Sequence, residues 1–275
     1  MSINLKDSEQ IQINILTRSA NRPVGFYNCY QSVVNQTYKN INHLVSYEYD
    51  DDLKDINLIG VNHVKVEKYE GKKLIHPKGY LHAPYNLYCN KLLGKIEKGW
   101  IMFLDDDDNL IHNKVLKEIV SEIMKVNEDT MLIWQMRYPN GSVLPTKENF
   151  ISKKIVMNQI GSPCFIFHSK YKKYAKWDEW KASDYRVFKS LFDKIPNKKW
   201  IEKVYIQINN FGDLGNRNDI IQDLKHKIIF RKILFWNLIP KYHTQFNSIY
   251  IFKYETYKAY WARSMKKIKR IFQKK

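Results

Sequence analysis

A chain of 275 residues with 44% hydrophobic and 14% aromatic content can bury a sizeable core, which excludes a disordered or low-complexity protein. Its net charge of +18 is lopsided: from Lys225 onward fourteen basic residues face one acid, Glu255, so +13 lies near the C-terminus. A mildly basic body with a strongly basic tail points to an anionic partner surface, nucleic acid or lipid.

Ile11 to Thr17 alternates and is rich in Ile, predicting a first strand. Asn21-Arg22-Pro23 is a turn with proline placed for a first helical residue, and Phe26, Tyr30, Val33 and Val34 mark one face of a helix to about Gln36. His43 to Glu48 is a second strand that runs into Glu48, Asp50, Asp51 and Asp52, and Val61 to Val66 is a third. Gly71 to Pro84 is loop-like, and Tyr85 to Ile96 is helical with Leu87, Leu92, Leu93 and Ile96 inward. Trp100 to Leu104 is an unbroken apolar run, the pattern of a strand buried on both faces. A helix from about Asn113 to Val126 leads to a strand at Met131 to Met136. The order so far predicts an α/β fold with a mostly parallel central sheet flanked by helices.

The second half is less regular. A turn at Pro139-Asn140-Gly141, a short strand at Pro163 to His168, a helix headed by Asp184 and a strand at Trp200 to Ile208 are predicted. The last strand ends in a glycine-bearing turn, Phe211 to Arg217. Beyond it, apolar residues from Ile249 to Phe272 recur every three to five positions, with basic residues largely off that line. This predicts a basic amphipathic helix. The domain division is therefore residues 1–217 as a catalytic domain and 218–275 as a basic helical extension.

Cys29, Cys89 and Cys164 have no metal or redox spacing, Met1 to Gln12 lacks an apolar signal core, and no apolar run is long enough to span a bilayer. The expectation is a cytoplasmic protein with reduced thiols, held peripherally at a membrane.

Chemistry concentrates after the apolar strand, at Asp105-Asp106-Asp107-Asp108. Ligands of α/β sheets bind outside the carboxyl ends of strands, and clustered carboxylates there call for a cation or donors. Two carboxylates at i and i+2 share a side if the chain stays extended. A hard divalent ion, Mg²⁺ or Mn²⁺, then suits a site shared with a diphosphate. Asp184, at a helix start beside aromatics, suits a general base, although an acid at that position also serves the helix dipole. Trp177 and Trp180 flank acids and suit a ring-bearing acceptor, or else core packing. Arg217 in its turn could meet a phosphate.

In order along the chain, Ile15-Leu16-Thr17-Arg18, Ser32-Val33-Val34-Asn35-Gln36-Thr37-Tyr38 and Phe103-Leu104-Asp105-Asp106-Asp107-Asp108 resemble a GT-A glycosyltransferase of the family 2 kind, over roughly residues 11 to 190. The resemblance implies that Thr17 and Arg18 line the nucleotide and that Glu48 is the acid that reads the base. It also implies that Asn86 and Asn90 face the nucleotide-sugar. Asp105 and Asp106 would serve the nucleotide-sugar. Asp105 and Asp107 match the D-x-D metal pair, with Asp107 the direct ligand. Asp184 matches the catalytic base, although the family usually has Glu-Asp where this chain has Ser183-Asp184. The Gln-x-x-Arg-Trp motif of processive synthases is absent.

The resulting expectation is an inverting, metal-dependent transferase. It moves a sugar from a nucleotide-sugar, a UDP-sugar by family weight, to a glycan or lipid-linked acceptor, with the C-terminal helix on an anionic membrane. Two rivals differ in kind. A nucleotidyltransferase would carry a glycine-rich loop after the first strand, and Thr17 to Pro23 has no glycine. A nucleic-acid-binding protein would use the basic, aromatic tail, but its aromatics fall mostly on the apolar face.

Overall fold

A computed structural model describes residues 10–72, 74–138 and 141–209. The expected C-terminal helix, Arg217 and most of the turn at residues 139–141 lie outside the described residues. The elements run β1 (Ile13–Arg18), α1 (Pro23–Val34), β2 (Ile41–Tyr47), α2 (Asp50–Ile56), β3 (Val61–Lys65), α3 (Tyr88–Gly94) and β4 (Trp100–Phe103). They continue through β5 (Asn109–Leu110), α4 (Val115–Ile123), β6 (Thr130–Arg137), β7 (Val143–Leu144), α5 (Lys147–Ile151), β8 (Phe165–His168), α6 (Ser183–Lys194) and β9 (Asn197–Gln207).

One curled sheet has the order β3-β2-β1-β4-β8-β6-β9-β5, with β7 on β6. The first four strands are parallel, as expected from strand–helix alternation. The mostly parallel sheet expected from the sequence holds, with short antiparallel pairings added beyond them: β8 is antiparallel to both β4 and β6, while β6 and β9 are parallel. Asparagines pin the register at the outer strands. Asn14 Nδ2 donates to Lys98 O, Asn42 Nδ2 to Asn14 Oδ1 and Asn62 Nδ2 to Asn42 Oδ1, at 2.8–2.9 Å. A one-residue slip would break that ladder as well as turn the apolar face outward.

The core sits on both faces of β4. Trp100 to Leu104 are all buried, and Phe103 meets Phe165, Phe167 and Trp177 edge-on or tilted. Each such side chain contributes roughly 1.5–3 kcal/mol by leaving water. Gly99 opens the strand at φ +88°, where a Cβ would lie 2.6 Å from Gln12 O, so no larger residue fits.

The Ser32 to Tyr38 motif acts as a bracket. Ser32 Oγ accepts from Leu110 N, just past the aspartates. Gln36 donates to His112 O and accepts from Leu116 N, and Thr37 N donates to Asn113 O. The end of α1 thus fixes where the acidic segment leaves β4. All three cysteines are buried and free, and among the described residues no helix is long and apolar enough to cross a membrane.

Candidate active site

The carboxyl ends of β1 and β4 and the start of α6 enclose a cleft of about 530 Å³, within the range of small-molecule sites. Arg18, Arg22, Asn86, Asp105 to Asp108, Trp177 and Asp184 all line it. The acidic segment and Asp184, distant in sequence, therefore share one cleft.

The chain does not stay extended through the aspartates. Asp108 N donates to Asp105 O at 2.9 Å, closing a turn, so the expected same-side pairing of Asp105 and Asp107 does not follow from strand geometry. Each carboxylate has its own partners. Asp105 receives Arg18 Nε at 2.8 Å and Nη2 at 3.0 Å, and Ser162 Oγ at 3.2 Å. Burial pushes its pKa up, but the Arg18 guanidinium and then Arg22 outweigh burial and hold it below the usual range. Asp106 is buried, 2.9 Å from Arg22 Nη1 and 3.3 Å from Ala20 N. There burial, with Asp107 and Asp105 adding repulsion, prevails over Arg22 and lifts the pKa to about 7. Asp107 lies 3.3 Å from the same Arg22 nitrogen. Asp108 is buried under Asn209, whose N donates to it at 3.2 Å, and burial plus the three neighbouring carboxylates push its pKa well up.

Arg18 is the hub of this wall. Besides gripping Asp105 it donates to Asn86 Oδ1, and its guanidinium lies 5.4 Å from the Tyr85 ring centre and 5.3 Å from that of Trp177. Asn86 in turn donates to Trp180 O at 2.8 Å.

Asp184 occupies the first turn of α6 on the facing wall. Its Oδ1 accepts from Tyr185 N at 2.8 Å. Burial raises its pKa and Asp105 adds to this, while the Tyr185 N–H, Arg18 and Arg186 pull the other way without prevailing. Ala182, the residue before α6, holds a left-handed φ of 61°, strain that a side chain tolerates only where surroundings impose it.

Several sequence expectations land elsewhere. Thr17 faces the interior, fully buried, with its Oγ1 3.0 Å from His43 Nε2; next to Arg18 on a strand, it must face the other side of the sheet. Asn90 grips the Trp177 backbone, donating to Trp177 O and accepting from Trp177 N, both at 2.9 Å, and is not among the cleft residues. Glu48 bonds Tyr88, which lines the cleft, so it sits one residue removed from the opening. Trp177 is 2% exposed, with its ring under Arg18 rather than open to solvent. Trp180 packs on His76 and His82 outside the cleft lining.

Arg22, Ser162, Tyr85 and Lys181 are cleft residues that the sequence reading missed. Only Arg22 carried a signal, a cation set before the helix-starting Pro23 with no acid nearby in sequence.

Among the described residues no three His, Cys, Asp or Glu side chains are arranged to hold a metal by themselves. Four carboxylates nevertheless crowd against two guanidiniums, and burial together with their mutual repulsion raises Asp106 and Asp108, a cost that a bound cation would relieve. Asp107 lines the cleft beside them, while both Asp105 oxygens are given to Arg18. This donor set fits a hard divalent ion that takes one protein carboxylate and draws its other ligands from substrate oxygens and water.

No family model matches the sequence, and no curated protein does either. Solved structures do match in fold. Residues 1–349 of S. aureus TarS align with a TM-score of 0.59 at 16% identity, covering 84% of this chain and 74% of that one. The same TarS fragment in complex with UDP-GlcNAc aligns at 0.57 and 15%, covering 91% and 78%. The longer TarS chain aligns at 0.52 and 12%, and this chain spans 38% of it. The mannosyltransferase PcManGT from Pyrobaculum calidifontis, in complex with GDP-Man and Mn²⁺, aligns at 0.55 and 11%, covering 79% and 63%. The curled α/β sheet with its cleft at the carboxyl ends of β1 and β4 is therefore a GT-A-like glycosyltransferase fold.

Proposed function

We propose that this protein is a metal-dependent, inverting glycosyltransferase that takes a nucleotide-sugar donor. The observation that carries the reading is the meeting, in one cleft of this fold, of an acidic turn and an isolated carboxylate across from it. Support comes from the fold neighbours, which include structures in complex with UDP-GlcNAc and with GDP-Man and Mn²⁺.

The chain's own residues divide the work. Arg18 and Asn86 shape the donor side, with Tyr85 giving a flat surface for a ring and Trp177 packed beneath Arg18 to hold it in place. Asp107 would hold the divalent cation, which when bound neutralises charge on the departing diphosphate. Asp184 accepts the proton of the acceptor hydroxyl. As that oxygen bonds to the anomeric carbon, the bond from this carbon to the diphosphate oxygen breaks, and the configuration inverts. The raised pKa of Asp184 makes it a better proton acceptor than an ordinary carboxylate once ionised. The acceptor is a glycan or lipid-linked hydroxyl compound, and a UDP-sugar is the preferred donor.

The test is a donor screen by thermal unfolding, with and without Mn²⁺. One nucleotide-sugar should raise the melting temperature in a Mn²⁺-dependent way, since a ligand at 100 times its Kd adds about 2.7 kcal/mol. If no nucleotide-sugar stabilises the protein under either condition, the reading fails.

A further inference from the structure

Between β3 and α3 the chain runs Gly71-Lys72-Lys73-Leu74-Ile75-His76-Pro77-Lys78-Gly79-Tyr80-Leu81-His82, with three lysines and no acid. Its side chains are sorted against the usual order. The polar rings turn inward: His76 lies 4.8 Å from Trp180 and 4.9 Å from Tyr80, and His82 lies 5.3 Å from Trp180. Tyr80 carries the Arg186 guanidinium at 4.9 Å. The aliphatic groups turn outward, with Leu74, Ile75 and Leu81 exposed by 44%, 94% and 63%.

The loop is braced from within. Lys181 N donates to Leu81 O at 2.9 Å and Ala83 N to Glu179 O at 2.7 Å, forming a bridge between His82 and Trp180. Single exposed aliphatics need no explanation, and Ile59 and Ile151 are of that kind. Three on one loop, interleaved in sequence with exposed Lys72 and Lys78, make that loop both apolar and cationic at its exposed positions.

We propose that this loop contacts an anionic lipid bilayer, inserting Leu74, Ile75 and Leu81 among the headgroups while Lys72 and Lys78 meet lipid phosphates. The charge argues for lipid over an apolar protein groove: the loop is +3 by sequence, on a chain of +18. Stable peripheral attachment takes two signals, and apolar insertion plus basic charge supplies both. The bridge sets the end of the loop against Trp180 and Lys181, a cleft residue, so the contact would bring that wall of the cleft beside the membrane surface. This last consequence rests on the proposed glycosyl transfer; the contact itself does not.

The experiment uses the full chain without donor, so that its failure is separate from failure of the enzymatic reading. Ile75→Cys and, as a control, Ile59→Cys carry an environment-sensitive fluorophore, the native cysteines being buried. Vesicles of phosphatidylcholine alone and of phosphatidylcholine with phosphatidylglycerol are added. Emission at position 75 should shift to the blue only with the anionic vesicles, and emission at 59 should not move. In the unlabelled protein, Leu74→Ser with Ile75→Ser and Leu81→Ser should weaken co-sedimentation with anionic vesicles by about tenfold. Pelleting with no shift at 75, an equal shift at 59, or no pelleting of the unlabelled protein would each overturn the proposal.

Discussion

The two walls of the cleft hold their carboxylates in opposite ways. On the β1–β4 wall, Asp105 and Asp106 are locked by Arg18, Arg22, Ser162 and the Ala20 N–H. On the α6 wall, Asp184 has a backbone hydrogen bond within its own helix turn and a raised pKa. Asp105, gripped by Arg18, keeps its charge and position, which suits shaping a ligand site, while Arg22 fixes the position of Asp106 even though burial lifts its pKa to about 7. A carboxylate with few fixed donors and a raised pKa can exchange a proton, which suits general-base work. The fold puts the first kind on a rigid parallel sheet and the second at a helix start reached after a strained residue, Ala182.

The largest effect should come from removing the proton acceptor. Asp184→Asn is expected to lower kcat by roughly 10²–10⁴-fold, measured with saturating donor and acceptor, while leaving the melting temperature nearly unchanged. In the wild type, kcat should climb with pH through a pKa above the ordinary carboxylate range, because protonated Asp184 cannot take a proton. Burial is the main reason the value is raised; of the groups facing Asp184, the Tyr185 N–H, Arg18 and Arg186 lower it and Asp105 raises it. A flat pH profile would remove the distinction between the walls.

The locked wall should show the reverse pattern, with stability suffering first. Arg22→Met leaves Asp106 and Asp107 without their buried guanidinium and is expected to cost about 3–5 kcal/mol in a urea titration. A loss under 1 kcal/mol would mean that the pair is not structural.

Beneath the same wall, Thr17 and His43 form a buried polar pair, and burial depresses His43 from 6.5 to about 4. The unfolded chain therefore binds a proton that the native state refuses. This stability is fully present above pH 6.5 and lost as pH falls towards 4, by about 3 kcal/mol at 1.36 kcal/mol per pKa unit. The slope should flatten in His43→Asn, measured as unfolding free energy against pH.

The smallest effect belongs to the other wall. Ala182→Gly relieves the left-handed φ and should raise stability by up to about 1 kcal/mol, offset by the greater freedom of glycine in the unfolded chain. Matched urea midpoints for variant and wild type would check it.

Much of this arrangement was legible in the amino-acid order. The parallel half followed from apolar runs that alternate with helical spacing, and the convergence of Asp184 on the aspartate turn followed from the resemblance. What failed did so for identifiable reasons. Asp50 to Asp52 read as strand-end acids, yet they form the first turn of α2, where the dipole favours them and Asp50 meets Lys65 at 2.6 Å. The antiparallel direction of β8 was not legible, because it depends on the path of a long connection, which local pattern does not encode. Thr17 and Arg18 could never both face the cleft, because neighbours on a strand alternate. Asn86 and Asn90 would share a helix face, but the tighter helical turn at Pro84–Leu87 precedes α3 and sends Asn90 to the Trp177 backbone.

The contrast between the walls is tested most directly by donor binding and turnover in two variants side by side. Asp107→Ala should lose the Mn²⁺-dependent part of donor affinity in a calorimetric titration, whereas Asp184→Asn should bind donor with Mn²⁺ as the wild type does and yet fail to turn over. Unchanged Mn²⁺-dependent binding in Asp107→Ala, or wild-type turnover in Asp184→Asn, would contradict the account.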